Sequence, residues 1–206
     1  MLHYETIGSA TLQLLKYIQR CSGMENMRLS GGTALALQIG HRKSFDLDFF
    51  GDLELENDDL ANILGPHGTV KKLKNTPSIN IFLVNDIKVD FVKYKYPWLT
   101  SAVKEDGLAL ADMTDIGAMK LAAITGRGRK RDFYDLYFLL GRYSLSQLVE
   151  YYNDKYEDGS TFLLLKSINY FEDAENDMPP ELFEQVSWEE VKDKISGAYD
   201  QYMKQL

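Results

Sequence analysis

Two aspartates, Asp46 and Asp48, stand two residues apart in the otherwise apolar segment Phe45–Phe50. Apolar and acidic residues alternate here, which is the pattern of a β-strand with one apolar and one acidic face. Both carboxylates would leave the same face, where their like charges repel each other unless a cation lies between them. Carboxylates are ligands that Mg²⁺ and Mn²⁺ prefer, so the spacing predicts a divalent metal site.

A glycine pair precedes these aspartates by about thirteen residues, in the segment Ser30–Thr33. Adjacent glycines let backbone amides approach an anion closely, and the N-terminus of the helix predicted over residues 33–40 adds partial positive charge. Ser30 or Thr33 could also donate a hydroxyl. Alone, a Gly-Gly pair is typical of a plain loop and Asp-x-Asp of an exposed strand. Their combination favours a metal–triphosphate site.

A third carboxylate, Asp90, lies in one of two strands predicted over residues 78–84 and 87–94. These strands flank Asn85-Asp86, a pair that favours a tight hairpin turn. Apolar residues alternate along the second strand and leave Asp90 on its other face. If this strand neighbours that of Asp46 and Asp48, Asp90 completes a metal-binding triad and accepts the proton of an attacking hydroxyl. The alternative is a solvated strand carboxylate beside lysines.

The remaining pattern is helical at both ends of the chain and predicts an α+β protein. A mixed, twisted sheet would form a core over residues 1–105, followed by a helical region over 106–206 that closes the nucleotide cleft. A strand is also predicted over 69–74. Helices are predicted over 9–22, 56–64, 112–125, 130–143, 145–157, 161–172 and 188–204, the last starting with a capping box at Ser187.

Composition excludes several classes of protein. The net charge is −8, and residues 147–206 carry 14 acidic and 5 basic residues, so that the preceding part is close to +1. This balance argues against a general nucleic-acid coat protein. No apolar run is long enough for a membrane helix, and the N-terminus lacks a signal-peptide pattern. The single cysteine, Cys21, fits a reducing cytoplasm.

The order of these motifs resembles one family, the abortive-infection nucleotidyltransferases of the AbiEii/AbiGii type, the toxins of type IV toxin–antitoxin pairs. The resemblance covers roughly residues 28–140. It rests on four blocks: Gly31-Gly32-Thr33 with Arg42-Lys43-Ser44-x-Asp46-x-Asp48, then Lys88-Val89-Asp90, then Asp115 with Lys120, and last Arg131-Asp132-x-x-Asp135-Leu136. The family belongs to the nucleotidyltransferase superfold of DNA polymerase β.

The resemblance implies a role for each block. Asp46, Asp48 and Asp90 would be the metal ligands and central catalytic residues. The nucleotide would be bound by residues of three blocks, namely Ser30, Gly31, Gly32, Thr33, Arg42, Lys43, Ser44, Lys120 and Arg131. Lys120 would contact the triphosphate, and one carboxylate of the last block would be needed for activity. Asp132 and Asp135 are three apart on one helix face, so the sequence does not decide between them.

The implied activity is a Mg²⁺- or Mn²⁺-dependent transfer of a nucleotide from a nucleoside triphosphate to an acceptor hydroxyl. In some members the acceptor is the acceptor end of transfer RNA, and a cognate antitoxin is an expected partner. A basic cluster between Gly117 and Arg131 could contact RNA phosphates or pair with the acidic tail. Alternatives are a small-molecule or protein acceptor, a non-catalytic nucleotide-binding regulator, and a two-metal hydrolase.

Overall fold

A computed structural model describes residues 1–205 of the chain. They form two compact units. The sheet unit comprises residues 1–95 and 101–112, and the helical unit comprises residues 96–100 and the chain from 113 onward. The boundary predicted between residues 105 and 106 lies in the turn of a hairpin within the sheet unit. No helix within residues 1–205 has the length and apolarity needed to cross a lipid bilayer.

The sheet unit contains one mixed sheet of seven strands in the order β3-β4-β5-β2-β1-β7-β6. The strands are β1 (Met27–Ser30), β2 (Leu47–Gly51), β3 (Val70–Asn75), β4 (Ile79–Val84), β5 (Ile87–Lys93), β6 (Val103–Glu105) and β7 (Leu108–Leu110). The pairs β2–β5 and β1–β7 are parallel, and the other neighbours are antiparallel. The predicted mixed sheet and α+β class are confirmed. The short strands β1, β6 and β7 were not predicted.

Three α-helices belong to this unit: α1 (Ser9–Ile18), α2 (Gly31–Ile39) and α3 (Asn57–Leu64). Leu15 and Ile18 of α1 are fully buried, as their helical spacing predicts. Helix α2 ends at Gly40, whose φ of +69° is the left-handed conformation that favours glycine. The helix therefore ends where the sequence predicts.

The β4–β5 hairpin turns at Asn85 and Asp86, whose φ angles are +46° and +68°. Positive φ angles at both central residues are typical of the type I′ turn, whose twist matches that of the flanking strands. Asn and Asp tolerate this left-handed conformation better than most residues. The predicted hairpin is confirmed. The prediction that Phe45 lies in a strand is wrong, because β2 starts only at Leu47. Phe45 is 63% exposed.

The two faces of the β2–β5 pair differ in burial. Leu47 and Phe49 of β2 lie beside Val89 and Phe91 of β5, and all four are fully buried. We call this side the inner face. The alternate residues form the outer face, which is half-buried on β2, β4 and β5; they include Asp48, Phe50, Lys88, Asp90, Val92, Ile79, Ile81 and Leu83. The sheet therefore has one apolar side for its core and one accessible side that carries the carboxylates.

The helical unit contains α4 (Met113–Gly126), α5 (Lys130–Leu139), α6 (Leu145–Lys155), α7 (Thr161–Ile168) and α8 (Trp188–Met203). The predicted capping box at Ser187 is present, and Ser144 starts α6 in the same way. Lys155, which is fully buried, places its ammonium 2.6 Å from Asp115 Oδ1 and 2.7 Å from the carbonyl oxygen of Pro97. Asp115 also accepts hydrogen bonds from the amides of Leu99 and Thr100, so this ion pair fixes residues 96–100 to the unit.

Candidate active site

Asp48 and Asp90 lie side by side on the outer face of the sheet. They are register partners on the parallel strands β2 and β5, so their side chains leave the same face. Ser30, at the end of β1, is the partner of Asp48 on its other side. The condition set by the sequence, that the strand of Asp90 neighbours that of Asp48, is met. Asp46 lies just before β2 and is half-buried.

The glycine pair lies directly against this row. Ser30 precedes α2, and Gly31 has a φ of +65°, a conformation that other residues rarely adopt. A Cβ atom on Gly31 would lie 2.8 Å from Asp48 Oδ2, and one on Gly32 would lie 2.1 Å from Arg42 Nη2. Only glycines therefore let the start of α2 come this close to both a carboxylate and a guanidinium. The Ser30 side chain does not cap α2.

Thr33 and Ser44 support the loop that carries Asp46. Thr33 is 1% exposed, and its hydroxyl lies 2.7 Å from that of Ser44 and donates to the carbonyl oxygen of Asp46. The amide of Ser44 donates to the carbonyl oxygen of Thr6 at 2.9 Å. The Thr33 hydroxyl thus holds the main chain of Asp46 in place, and the Ser44 hydroxyl contacts that of Thr33. The direct contacts with a triphosphate that the resemblance implies for these two residues remain a prediction.

Arg42 brings positive charge to the glycine turn. Its side chain is buried, Nη1 donates to the carbonyl oxygen of Lys43 at 2.9 Å, and Nη2 packs against Gly32. A guanidinium that is fixed beside a helix N-terminus favours an anion at that position. The ammonium of Lys43 donates to the carbonyl oxygen of Glu5 at 2.6 Å.

The two oxygens of Asp90 have different surroundings. Oδ2 accepts from the ammonium of Lys88, two residues earlier on the same face. Oδ1 is buried and has no hydrogen-bond partner within residues 1–205. A buried acceptor without a partner is rare and calls for a ligand that completes it. Lys88 was not among the predicted site residues, although its alternation with Asp90 places both on one face.

These residues fit a hard divalent cation that is bound together with a nucleoside triphosphate. Among residues 1–205 no three or more His, Cys, Asp or Glu side chains are grouped so that they could hold a metal ion. Asp48 and Asp90 are nevertheless adjacent, and Asp90 Oδ1 is an acceptor in need of a partner. Mg²⁺ typically takes one or two carboxylates and completes its shell with substrate phosphates and water. The donor set therefore suits an ion that arrives with a triphosphate.

A buried cluster of charges occupies the helical unit. Lys120 Nζ lies 3.0 Å from Asp132 Oδ1 and 2.6 Å from Asp135 Oδ2, and both carboxylates are fully buried. Arg127 also donates to Asp132, at 3.0 and 3.1 Å. The two aspartates that the sequence could not separate therefore share one lysine. Arg131, which precedes them, is exposed.

The basic cluster before α5 pairs in part with the acidic tail, which is one of the two alternatives that the sequence left open. Arg129 Nη1 lies 2.8 Å from Asp177 Oδ1. The ammonium of Lys130 donates to the carbonyl oxygen of Glu175 at 2.7 Å. These contacts hold Glu175 and Asp177 near the start of α5. The side chains of Arg129 and Lys130 therefore make contacts within the helical unit.

The pKa of Asp132 should make this cluster sensitive to acid. Burial by itself raises the pKa of this carboxyl, but Lys120 and Arg127 outweigh burial and hold it below the ordinary value of 3.8. A lowered pKa in the folded state contributes stability above pH 3.8 that is lost as the pH falls through the folded value. We expect Asp132→Asn to destabilise the protein most near neutral pH, with the difference from wild type shrinking below about pH 4. Urea unfolding between pH 7 and pH 3 measures this, and a constant difference would contradict it.

The likeness to known proteins agrees with the geometry. Residues 13–204 match the family described as "Nucleotidyl transferase AbiEii toxin, Type IV TA system". An uncharacterised protein of Aquifex aeolicus is 36% identical over 183 residues, which cover 85% of this chain and 87% of that protein.

Solved structures share the fold. JHP933 from Helicobacter pylori has a TM-score of 0.60 at 22% identity, covering 97% of this chain and 94% of its own. MenT4, a nucleotidyltransferase toxin from Mycobacterium tuberculosis, has a TM-score of 0.61 at 17% identity, covering 92% and 81%. On the match over residues 13–204, the chain belongs to the AbiEii family of nucleotidyltransferase toxins of type IV toxin–antitoxin systems.

Proposed function

We propose that the protein transfers a nucleotide from a nucleoside triphosphate to an acceptor hydroxyl of RNA, such as the acceptor end of transfer RNA, with Mg²⁺ or Mn²⁺ as cofactor. The observation that carries this proposal is the row of Asp48 and Asp90 beside the glycine turn. It combines hard oxygen ligands with a backbone that admits an anion. A cognate antitoxin is the partner that membership of the family suggests.

The triphosphate would be bound at the start of α2. Gly31 and Gly32 carry no side chain, so the start of α2 lies close to the Asp48 carboxylate and to the guanidinium of Arg42, which adds a fixed positive charge. When bound, a divalent cation would neutralise the phosphate oxygens, with Asp46 and Asp48 as its protein ligands, and Asp90 would contact a second cation. Lys120, Arg131 and one aspartate of the pair Asp132/Asp135 keep the roles in nucleotide binding and activity that the family resemblance implies.

Asp90 would act on the acceptor. The acceptor oxygen forms a bond to the α-phosphorus, the bond from that phosphorus to the β-phosphate oxygen breaks, and pyrophosphate leaves. The proton of the hydroxyl passes to the carboxylate of Asp90, whose Oδ2 accepts a hydrogen bond from Lys88 and whose Oδ1 has no hydrogen-bond partner within residues 1–205. Positioning and charge neutralisation supply most of the rate enhancement in such reactions.

The experiment that tests the function is incubation with each α-labelled nucleoside triphosphate and total RNA, with Mg²⁺ or with EDTA. We expect label in RNA, released pyrophosphate, and no transfer in EDTA. Label in a small molecule or a protein would replace RNA as the acceptor. Triphosphate that is bound but never consumed would identify a regulator, and triphosphate hydrolysed without transfer would identify a hydrolase.

Asp48→Asn should remove the metal-dependent part of nucleotide binding. The variant keeps the shape of the side chain but not the charge that a divalent cation needs, so affinity in Mg²⁺ should fall about ten- to a hundred-fold. Affinity in EDTA should not change. Titration calorimetry with a non-hydrolysable triphosphate measures both, and Asp52→Asn, an exposed carboxylate just after β2, is the matched control. Unaltered Mg²⁺-dependent binding would remove Asp48 from the site.

A further inference from the structure

The outer face continues beyond Asp90 as an apolar surface with lysines at its edge. The register places Ile81 of β4 beside Asp90, and Lys74 of β3 beside Ile81. The next row runs in the same way from Lys88 through Leu83 to Lys71. Ile81 and Leu83 are half-buried, whereas Lys71 and Lys74 are exposed. Two rows of the sheet therefore lead from the reaction centre over aliphatic side chains to positive charges.

An irregularity in β3 is what puts both lysines on this face. Residues three apart in a regular strand face opposite sides, but the pairing of β3 with β4 shifts between Lys72 and Lys74. Lys71 and Lys74 thus share the outer face. Lys72 is the partner of Phe82 on the inner face, and its ammonium lies 2.5 Å from Asp58 of α3.

The charge of this region is opposite to that of the whole chain. Residues 68–95 contain six lysines and two aspartates, a net of +4, in a chain of net −8. Within residues 1–205, neither Lys71 nor Lys74 has a carboxylate within 4.0 Å, whereas Lys72 and Lys88 are both paired. The two outer-face lysines are therefore available to an anion. Lysines on an edge strand can also serve only to discourage aggregation, which a comparison with Lys72 tests.

We propose that the outer face of β3–β5 is the platform on which the acceptor strand of RNA lies, with its terminal hydroxyl at Asp90. This inference rests on the proposed function and names the surface that recognises its second substrate. A single strand presents phosphates to Lys71 and Lys74, and the apolar faces of its unpaired bases pack on the aliphatic side chains of Ile81 and Leu83. A paired helix keeps its bases stacked inside, so this surface recognises a single-stranded end.

The test uses binding alone, without triphosphate or turnover. The probe is a single-stranded RNA of twelve nucleotides with a 5′ fluorescein, titrated with the full chain and followed by fluorescence anisotropy. We expect Lys71→Gln/Lys74→Gln to weaken binding about tenfold or more and to reduce the slope of log K against log salt by about 1.4, because each lost phosphate contact in a single strand removes about 0.7. Lys72→Gln, on the same strand but the opposite face, should bind RNA within about twofold of wild type. Nucleotide binding should stay unchanged in both variants.

Each outcome bears on the platform separately from the proposed function. Equal effects of the outer-face and Lys72 variants, an unaltered salt slope, or no binding of the probe by wild type would overturn the platform. If Lys71→Gln/Lys74→Gln transfers label to RNA with the same KM for RNA as wild type, the platform is overturned and the proposed function stays intact. Lysine-dependent RNA binding with no transfer from any triphosphate would support the platform and refute the function. A protein that takes the label and competes with the probe would make this face a protein-binding surface instead.

Discussion

Asp90→Asn is expected to lower the rate of nucleotide transfer about 10²–10⁴-fold and to leave the affinity for the triphosphate nearly unchanged. The amide keeps the size of the side chain and can still accept a hydrogen bond from Lys88, but it takes up no proton. Since a general base acts on the acceptor only in the transition state, kcat should fall more than nucleotide affinity. Single-turnover transfer from an α-labelled triphosphate, together with equilibrium binding, separates the two quantities.

The β4–β5 hairpin supplies a matched control for this variant. Asp86 lies in the turn with a φ of +68°, a conformation that asparagine also tolerates, and its side chain is exposed. Asp86→Asn should transfer nucleotides at the wild-type rate. Equal losses in both variants would point to a general effect of charge on the sheet unit. A fall in triphosphate affinity as large as the fall in rate would make Asp90 a ground-state ligand and not a base.

The parts of the fold that the sequence predicts are those set by local chemistry. Gly40 ends α2 because glycine adopts a positive φ easily, and Asn85-Asp86 turns the hairpin for a related reason. Alternation also placed Asp48 and Asp90 on faces opposite to their buried neighbours. Asp48 and Asp90 are register partners because β2 and β5 are neighbours in the sheet. The sequence did not predict this strand order, and the role of Asp90 was stated only for the case that the two strands are neighbours.

The parts that were missed depend on contacts between distant segments. Strand β1 has four residues and β7 has three, too few to show the alternation of apolar and polar residues that predicts a strand. Their parallel pairing joins Leu29 to Leu110, which are distant in the sequence. Phe45 was predicted in a strand because it continues the alternation of apolar and acidic residues. The backbone on either side of it is instead fixed by the hydroxyl of Thr33, which contacts the Ser44 hydroxyl and the carbonyl oxygen of Asp46. No local pattern carries this information.

Lys120 shows the same limit at a candidate site residue. From the sequence, a lysine in an apolar helix either extends to solvent or meets an anion. The structure places it between two buried carboxylates of the next helix, Asp132 and Asp135. Helical spacing predicted that these two share one face, but not that the face packs against Lys120. The anion observed beside this lysine belongs to the protein.

Lys120→Met is therefore expected to lower the free energy of unfolding by about 3–5 kcal/mol, because it leaves buried carboxylates without their ammonium. Arg127 still pairs with Asp132, whereas Asp135 loses the ammonium that lies 2.6 Å from its Oδ2. Adding Asp135→Asn should restore part of the stability, since a neutral amide tolerates burial better than a charge. Urea unfolding of the single and double variants measures both steps.

An exposed lysine of the same unit provides the control. Lys166 lies on α7 at the surface, so Lys166→Met should change the free energy of unfolding by less than about 0.5 kcal/mol. The same set of variants also decides what Lys120 does in the reaction. If Lys120→Met unfolds like wild type but binds the triphosphate about ten- to a hundred-fold more weakly, the ammonium of Lys120 contacts the nucleotide, as the family resemblance implies. Lost stability with normal affinity in the folded fraction would make it a structural ion pair that holds α4 to α5.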